Sequence, residues 1–303
     1  MTRVAAIDCG TNSIRLLVAD LPADGPAVEL SRQMQIVRLG EGVDQTGRLA
    51  PAAIERTRVA LAGYAATIAE LGATKVRMCA TSASRDAENA ADFQAMVLDT
   101  LGVPPEVISG DAEAALSFAG AVQGLPTAGP YLVLDIGGGS TEFVLGGTAV
   151  RHAMSVDVGC VRMTERHLRS DPPTVAEIAA ATADVTAAVD RALAAVPGYA
   201  DATLVGLAGS VTTVAALALG LTEYDPTRIH HAVLTLAQVE AVTEQLLAAS
   251  VAQRLALPVM HPGRADVIAA GALVLRTVMR RSGHVTVTVS ESDILDGIAL
   301  SLR

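Results

Sequence analysis

Asp135 closes an apolar run, Tyr131-Leu132-Val133-Leu134, and is followed closely by Gly137-Gly138-Gly139-Ser140-Thr141, after which apolar residues resume at Phe143-Val144-Leu145. Three consecutive glycines let the backbone turn with φ of either sign and leave no Cβ in the way, so several amide N–H groups can converge on one anion. A carboxylate beside such a nest repels phosphate unless a cation lies between them. The pairing therefore points to phosphate chemistry assisted by a divalent metal such as Mg2+, held directly or through water. An ordinary tight hairpin would also use glycines here. What weighs against that plainer reading is a second copy: Val4-Ala5-Ala6-Ile7 leads to Asp8, then Gly10-Thr11-Asn12-Ser13, then Leu16-Leu17-Val18. Asp8 matches Asp135, Gly10 matches Gly137 and Ser13 matches Ser140. Repetition of strand, acid, glycine turn and strand predicts two similar domains, each giving a hairpin to one phosphate site.

Other residues of suitable chemistry follow predicted strands. Thr81-Ser82-Ala83-Ser84 leads into Arg85, which would sit at the carboxyl edge of a sheet, where ligands bind in open α/β folds. There Arg85 clamps a phosphate oxygen, or it starts a helix and pairs with Asp86 or Glu88 on the surface. Ser109-Gly110-Asp111-Ala112-Glu113 puts two acids in a first helical turn, a favourable placement on dipole grounds alone. Glu113 in dry surroundings would also make a useful base. Ala208-Gly209-Ser210-Val211-Thr212-Thr213 turns a strand into a helix and forms a third place where amides can meet an anion. Arg162, Arg166 and Arg169 fall near one face of a helix opened at Gly159, as a basic rim or as a solvated face partly neutralised by Glu165. His230-His231 is not read as a metal pair, because adjacent residues point apart and no third ligand has suitable spacing.

The elements that must carry these residues alternate strand and helix. After the first hairpin, a third strand is expected from about Val28 to Leu39 and a loop at Gly40 to Val43. A helix then runs from Pro51 to Gly72, with a strand over Lys75–Ala80 and a helix from about Asn89 to Leu101. Glu106 to Ile108 reads as a strand, and Gly124 to Pro130 as the hinge between domains. In the second half, the pattern predicts a strand from about Ala149 to Val156, a helix from Val175 to Val196 and a strand over Leu204–Leu207. A long helix starts at His261, where Arg264 and Asp266 would support a domain contact, and a strand over Val285–Val289 precedes a terminal helix through Leu302.

Composition narrows the function classes. A chain of 303 residues holds two domains of ordinary size. Apolar residues make up 51% and aromatics only 2%, so Ala, Val, Leu and Ile build the cores and few stacking platforms remain for bases. The net charge of −10 also argues against nucleic acid as a partner. Cys9, Cys79 and Cys160 show no C-x-x-C spacing and read as buried free thiols of a reducing, cytoplasmic setting, with no redox role given to Cys9. No secretory signal is visible at the N-terminus. The uncharged stretch from Ala202 to Thr222 breaks at Gly206 and Gly209-Ser210, and it reads as a buried strand, turn and helix rather than a membrane span.

Together, several motifs resemble the exopolyphosphatase and guanosine pentaphosphatase family, in order and approximate spacing along essentially the whole chain. They are Asp8-Cys-Gly-Thr-Asn-Ser13, Arg85 with Asn89, Ser109-Gly-Asp-Ala-Glu-Ala114, Asp135-Ile-Gly-Gly-Gly-Ser-Thr-Glu142, Gly206-Leu-Ala-Gly-Ser-Val-Thr-Thr213 and Arg264-Ala-Asp266. The resemblance implies an α/β, two-domain actin-like ATPase fold of the sugar kinase/actin superfamily, with a mixed five-stranded sheet in each domain and an interdomain cleft. The domains would span residues 1–125 and 126–290, with a terminal helix from about 291 to 303 returning to the first. It implies hydrolysis of the terminal phosphoanhydride of inorganic polyphosphate, releasing orthophosphate, by a homodimer using Mg2+ or Mn2+. The family's catalytic glutamate falls on Glu113 and its phosphate arginine on Arg85. Its phosphate loops fall on Gly10, Thr11, Asn12 and Ser13 and on Gly137, Gly138, Gly139, Ser140 and Thr141, with Gly209 and Ser210 as further phosphate contacts. Its acidic metal positions fall on Asp135 and Glu142, with Asp8 as the first-copy counterpart.

The sequence departs from the family in two respects. The family often shows two adjacent acids followed by Ala-Arg after the Ser-Gly turn, whereas Ala112 precedes Glu113 here and Ala115 stands at the arginine position. Longer members continue into a C-terminal helical region, while this sequence ends at Arg303, so short polyphosphate chains are the expected preference. The implied mechanism is metal-assisted phosphoryl transfer to water, with Glu113 deprotonating the water. Competing readings are removal of the 5′ γ-phosphate from guanosine pentaphosphate, a sugar kinase, and a non-catalytic sensor of guanosine tetraphosphate or a nucleotide. Phosphate released without any acceptor separates hydrolysis from the kinase.

Overall fold

The protein, seen here as a computed structural model that describes residues 1–25, 27–125 and 129–303, divides into two compact units. One comprises Met1–Gly120 with Ile294–Arg303, and the other Ala121–Asp293. Pro126, within the expected hinge segment, lies outside the described residues.

In the first unit, β1 (Thr2–Cys9), β2 (Ser13–Leu21) and β3 (Val28–Ile36) form an antiparallel meander. After the one-turn helix α1 (Val43–Thr46) and the long helix α2 (Pro51–Leu71), β4 (Lys75–Ala80) lies parallel to β1. Helices α3 (Ser82–Asp86) and α4 (Ala90–Leu101) precede the short β5 (Glu106–Val107), and α5 (Gly110–Ala121) follows it. The sheet order is β3-β2-β1-β4-β5. Six successive residues of β1 are buried because helices cover both faces of the sheet, so the strand reads as a continuous apolar run rather than an alternating one. Ala5, Ile7 and Cys9 pack with Leu61, Tyr64 and Phe93 on one face. Val4 and Ala6 pack with Leu295 and Ile298 on the other, which holds the terminal helix Ile294–Leu300 in this unit.

Two boundaries here differ from expectation. Strand β3 stops at Ile36 rather than Leu39, because the Val37 and Arg38 amides turn to the Asn12 carbonyl at 3.0 and 2.9 Å. The loop expected at Gly40 to Val43 ends in α1, which buried Val43 anchors. Helix α2 keeps its predicted limits, with Pro51 in the first turn and Gly72 left-handed at φ 68 after the last.

The second unit repeats the plan. Its meander is β6 (Tyr131–Ile136), β7 (Thr141–Gly146) and β8 (Val150–Val156), followed by α6 (Cys160–His167) and α7 (Val175–Ala195). Strand β9 (Thr203–Leu207) runs parallel to β6 and leads into α8 (Ala208–Ala218) and α9 (Pro226–Ile229). The short β10 (Val233–Thr235), α10 (Leu236–Ala248), α11 (Val251–Leu255), α12 (Ile268–Ser282) and β11 (Thr286–Val289) complete it. The sheet order is β10-β11-β9-β6-β7-β8. Without β10, it has the strand order and directions of the first sheet. Even the register irregularity recurs between second and third strands, at Val18/Ala19 and at Leu145/Gly146. Two mixed sheets of one topology flanked by helices make this the α/β actin-like fold.

The second sheet has six strands instead of the implied five, because Val233–Thr235 adds an antiparallel edge to β11. His261 opens a 3-10 turn over Pro262–Arg264, and the long helix begins only at Ile268. The stretch 202–222 is the expected strand, turn and helix, and among the described residues no helix is long and apolar enough to cross a membrane.

Candidate functional site

The two glycine hairpins have the same geometry. In the first, the Gly10 amide donates to the Ser13 carbonyl at 3.0 Å; in the second, Gly137 donates to Ser140 at 3.0 Å. Each is gripped from behind by the segment after its third strand. The Gly40 amide donates to Thr11, and Val37 and Arg38 donate to Asn12. In the second unit, the Cys160 amide donates to the Gly137 carbonyl at 3.0 Å, and Val161 and Arg162 donate to Gly138 at 2.9 and 3.1 Å. The Arg162 Nε donates to Gly139 O at 2.8 Å. In a planar trans peptide the C=O and N–H point in opposite directions. Anchoring the Gly137 and Gly138 carbonyls on α6 therefore turns the Gly138 and Gly139 amides away from it, as a phosphate nest requires. Gly159 permits this approach, since a Cβ there would lie 2.4 Å from Gly138 O and 2.7 Å from Gly139 N.

Each hairpin carries its acid at the last but one ladder pair before the turn. Asp8 lies directly opposite Arg15 across β1 and β2, and Asp135 lies directly opposite Glu142 across β6 and β7. The Arg15 Nη2 and Nε reach Asp8 Oδ2 at 2.6 and 3.1 Å. Glu142 is wholly buried and its Oε1 accepts from Ser155 Oγ at 2.8 Å. Thr141 donates its hydroxyl to the Val158 carbonyl, so the side chain braces the loop. On the first loop, the Thr11 and Ser82 hydroxyls lie 2.8 Å apart, tying the loop to α3.

Arg85 lies in the last turn of α3 and Glu113 in the first turn of α5, on helices that follow the adjacent strands β4 and β5. The Arg85 Nη1 donates to Glu113 Oε2 at 3.2 Å and to Ile108 O at 3.0 Å. Asp86, one of the surface partners considered from sequence, lies at 4.0 Å from Arg85 Nε, a looser contact than the one to Glu113. Glu113 is 8% exposed, buried as a base in a dry site would be.

The third loop begins at Ala208, a non-glycine residue at φ 68, and backbone strain of this kind concentrates at functional turns. Arg264 lies across Gly209, where a Cβ would meet the guanidinium carbon at 2.6 Å, and its Nη1 donates to Thr213 Oγ1 at 3.3 Å. Gly271 makes room for Ser210 and Cys160, where a Cβ would meet Ser210 Oγ at 2.3 Å. The second and third loops of this unit thus pack on common neighbours. Arg264 serves this loop within the second unit.

Among the described residues no group of three or more His, Cys, Asp or Glu side chains converges as a metal cage. The Asp135–Glu142 pair offers hard oxygen donors on one hairpin face, a set that suits Mg2+ completed by water and phosphate oxygens. Asp8 presents an oxygen already engaged by a guanidinium. The three arginines read as one face part company: Arg162 binds the loop, Arg166 pairs with Asp184 at 2.9 Å, and Arg169 lies beyond the end of α6. The rings of His230 and His231 stack at 3.7 Å rather than pointing apart, because His231 takes φ 64.

Arg15 is not singled out by the sequence reading, and Gly159 enters it only as the start of a helix. Aligning the repeat one turn further would have found Arg15, since it stands where the second copy has Glu142. Gly159 has no such signal, because its role depends on α6 lying against Gly138.

Residues 19–302 match the Ppx/GppA phosphatase family. A Mycobacterium tuberculosis protein named Exopolyphosphatase 2 is 51% identical, over all of this chain and 99% of its own. A Vibrio cholerae guanosine-5'-triphosphate,3'-diphosphate pyrophosphatase is 28% identical over 98% of this chain, which spans 59% of that protein. Among solved structures, an Aquifex aeolicus Ppx/GppA member superposes with a TM-score of 0.82 at 31% identity, covering 99% of this chain and 97% of its own. A Cytophaga hutchinsonii exopolyphosphatase does so with a TM-score of 0.92 at 25% identity, covering 99% and 97%. The chain belongs to the Ppx/GppA phosphatase family.

Proposed function

We propose that this protein is an exopolyphosphatase, hydrolysing the terminal phosphoanhydride of inorganic polyphosphate and releasing orthophosphate. The observation that carries the reading is the contact between Arg85 and Glu113, which joins a phosphate-binding cation to a buried carboxylate in the unit that also holds the first glycine loop. In this reading the two loops, Gly10–Ser13 and Gly137–Thr141, bind phosphate oxygens through amides not used to close their turns, those of Gly138 and Gly139 in the second, with Gly209 and Ser210 as further contacts. Arg85 orients the terminal phosphate, and Glu113 accepts a proton from the attacking water. Asp135 and Glu142 would hold a Mg2+ or Mn2+ ion, which would supply charge that neutralises the phosphates. The net charge of −10 makes such local positive charge necessary for a polyanionic substrate. The name and 51% identity of the M. tuberculosis relative support the same substrate. A cytoplasmic homodimer belongs to this reading, and three buried free cysteines accord with a reducing compartment.

The V. cholerae relative favours a second reading, guanosine pentaphosphate as substrate. Mg2+-dependent phosphate release from short and long polyphosphate and from guanosine pentaphosphate, measured side by side, separates the two. A higher kcat/KM on polyphosphate is expected. A higher value on pentaphosphate moves the protein to alarmone hydrolysis, and no release from any of them sinks the hydrolase reading.

A further inference from the structure

Glu113 and the carbonyl that holds Arg85 rest on one apolar cluster. Ile108, whose oxygen accepts from Arg85 at 3.0 Å, is buried in it. Ala112, just before Glu113 in α5, and Leu116, one turn after it, pack against the same cluster. The terminal helix α13 (Ile294–Leu300) supplies Ile294, Leu295, Ile298 and Ala299 to it. Strands of the first sheet fasten that helix in place: Arg32 of β3 donates to Asp296 at 2.6 Å, Arg77 of β4 to Ser301 Oγ at 2.6 Å, and Lys75 to Leu302 O at 3.0 Å. Where α13 meets α5, backbone touches backbone. A Cβ on Gly297 would lie 2.0 Å from Leu116 O, 2.7 Å from Leu116 C and 3.1 Å from Leu116 Cα, so only a residue without a Cβ allows this approach.

We propose that Gly297 is a positioning residue for hydrolysis: by seating α13 directly on the backbone of α5, it fixes where Glu113 stands relative to Arg85. The inference rests on the proposed hydrolase reading for the role of Glu113, but not for the seat itself. The physical argument is which parts can yield. The Ile108 amide is tied to Ala80 O at 3.0 Å, so the carbonyl that holds Arg85 is fixed to β4. Helix α5 has no such tether at Leu116, and its hydrogen-bonded turn moves as one piece, so pushing Leu116 away carries Glu113 with it. The 3.2 Å contact between Arg85 and Glu113 is then what changes.

The test is Gly297→Ala in the full-length protein, assayed for polyphosphate hydrolysis at saturating Mg2+, polyphosphate binding and thermal melting. Its Cβ needs about 1 Å of movement to clear Leu116 O, and a misplacement of about 1 Å should lower kcat by about 100-fold while Kd for polyphosphate stays nearly unchanged. In a Glu113→Gln background the same change should cost the residual rate little more, because the group it misplaces is already gone. Val97→Ala opens a cavity on the other face of the sheet and controls for stability: it should lower the melting temperature and leave kcat unchanged. If Gly297→Ala does not fold, Ile298→Val removes one methylene from the same seat and goes through the same cycle, with a smaller fall in kcat expected. Hydrogen exchange supplies a readout free of substrate: α5 amides should exchange faster in the variant and α4 amides at the wild-type rate. A folded variant with unchanged kcat, a loss carried by Kd, or a loss that multiplies in full with Glu113→Gln overturns the inference, as does unchanged exchange in α5. A wild type that releases no phosphate, with faster α5 exchange in the variant, sinks the hydrolase reading and leaves the seat standing.

Discussion

Gly159→Ala adds one methyl group, touches no charge, and should nevertheless impair the enzyme severely. The added Cβ would lie 2.4 Å from Gly138 O, 2.5 Å from Gly138 C and 2.7 Å from Gly139 N. Reaching an ordinary separation requires about 1 Å of movement, and the atoms in the way are backbone, which cannot rotate aside as a side chain does. Either α6 backs away from the loop, loosening the bonds from Cys160, Val161 and Arg162, or the loop itself shifts. Overpacking of this kind costs about 1–3 kcal/mol of stability. A phosphate nest displaced by about 1 Å should cost about 100-fold in kcat/KM, equivalent to about 2.7 kcal/mol of transition-state stabilisation. The assay is phosphate release from polyphosphate at saturating Mg2+, with thermal melting to show that the variant is folded. Gly63→Ala is the control: no atom lies within 4 Å of its added Cβ, and in mid-helix α2 it should stabilise by about 0.5–1 kcal/mol. A folded Gly159→Ala protein with unchanged kcat/KM would refute the claim that α6 sets the loop for phosphate.

Other consequences follow from the same structure. The Thr174 backbone amide first, then the Thr174 and Ser170 hydroxyls and the Ser170 amide, converge on Glu177 and hold its carboxyl down at about 2 from the ordinary 4.5, against the opposing effect of burial. A depressed folded-state value means that the stabilisation is present above about pH 4.5 and is lost as pH falls toward 2. Glu177→Gln should therefore lower the melting temperature at pH 7, and the gap from wild type should close as pH is lowered through that window. Chelation with EDTA should abolish phosphate release and Mg2+ should restore it; full activity in EDTA would remove the cation from the account. Because a chain of charge −10 must attract a polyanion by local fields, raising salt should increase KM more than it lowers kcat, and a salt-independent KM would contradict that electrostatic picture.

What the sequence revealed and concealed follows from the range of the interactions involved. Lys75–Ala80 keeps its predicted limits because a short run ending in Met78-Cys79-Ala80, bounded by a glycine turn and small hydroxyl residues, is a local signal. The repeat of Asp8 and Asp135 was visible because each hairpin closes on itself within a few residues. Val233–Thr235 was missed: three residues gain a strand only through pairing with β11, some fifty positions away. Strand β3 ends three residues before its pattern predicts because its end is set by the Asn12 carbonyl, a partner that apolar pattern does not register. The stacking of His230 on His231 likewise depends on one left-handed residue that no composition rule would place at histidine. At the site, the residue types of Arg85 and Glu113 are legible in the sequence, but the 3.2 Å contact between them joins residues 28 positions apart and has no local signal.

The most direct test of the central claim is Glu113→Gln, assayed for turnover and for binding of polyphosphate by the same preparation. The change preserves shape, and Arg85 keeps its 3.0 Å bond to Ile108 O, so the phosphate-binding arrangement should survive. Loss of a general base predicts a fall in kcat of about 100- to 10,000-fold with Kd for polyphosphate nearly unchanged. A variant that turns over at near-normal rate would show that Glu113 is not the base, and one that loses binding in step with turnover would show that its carboxylate serves the ground state instead.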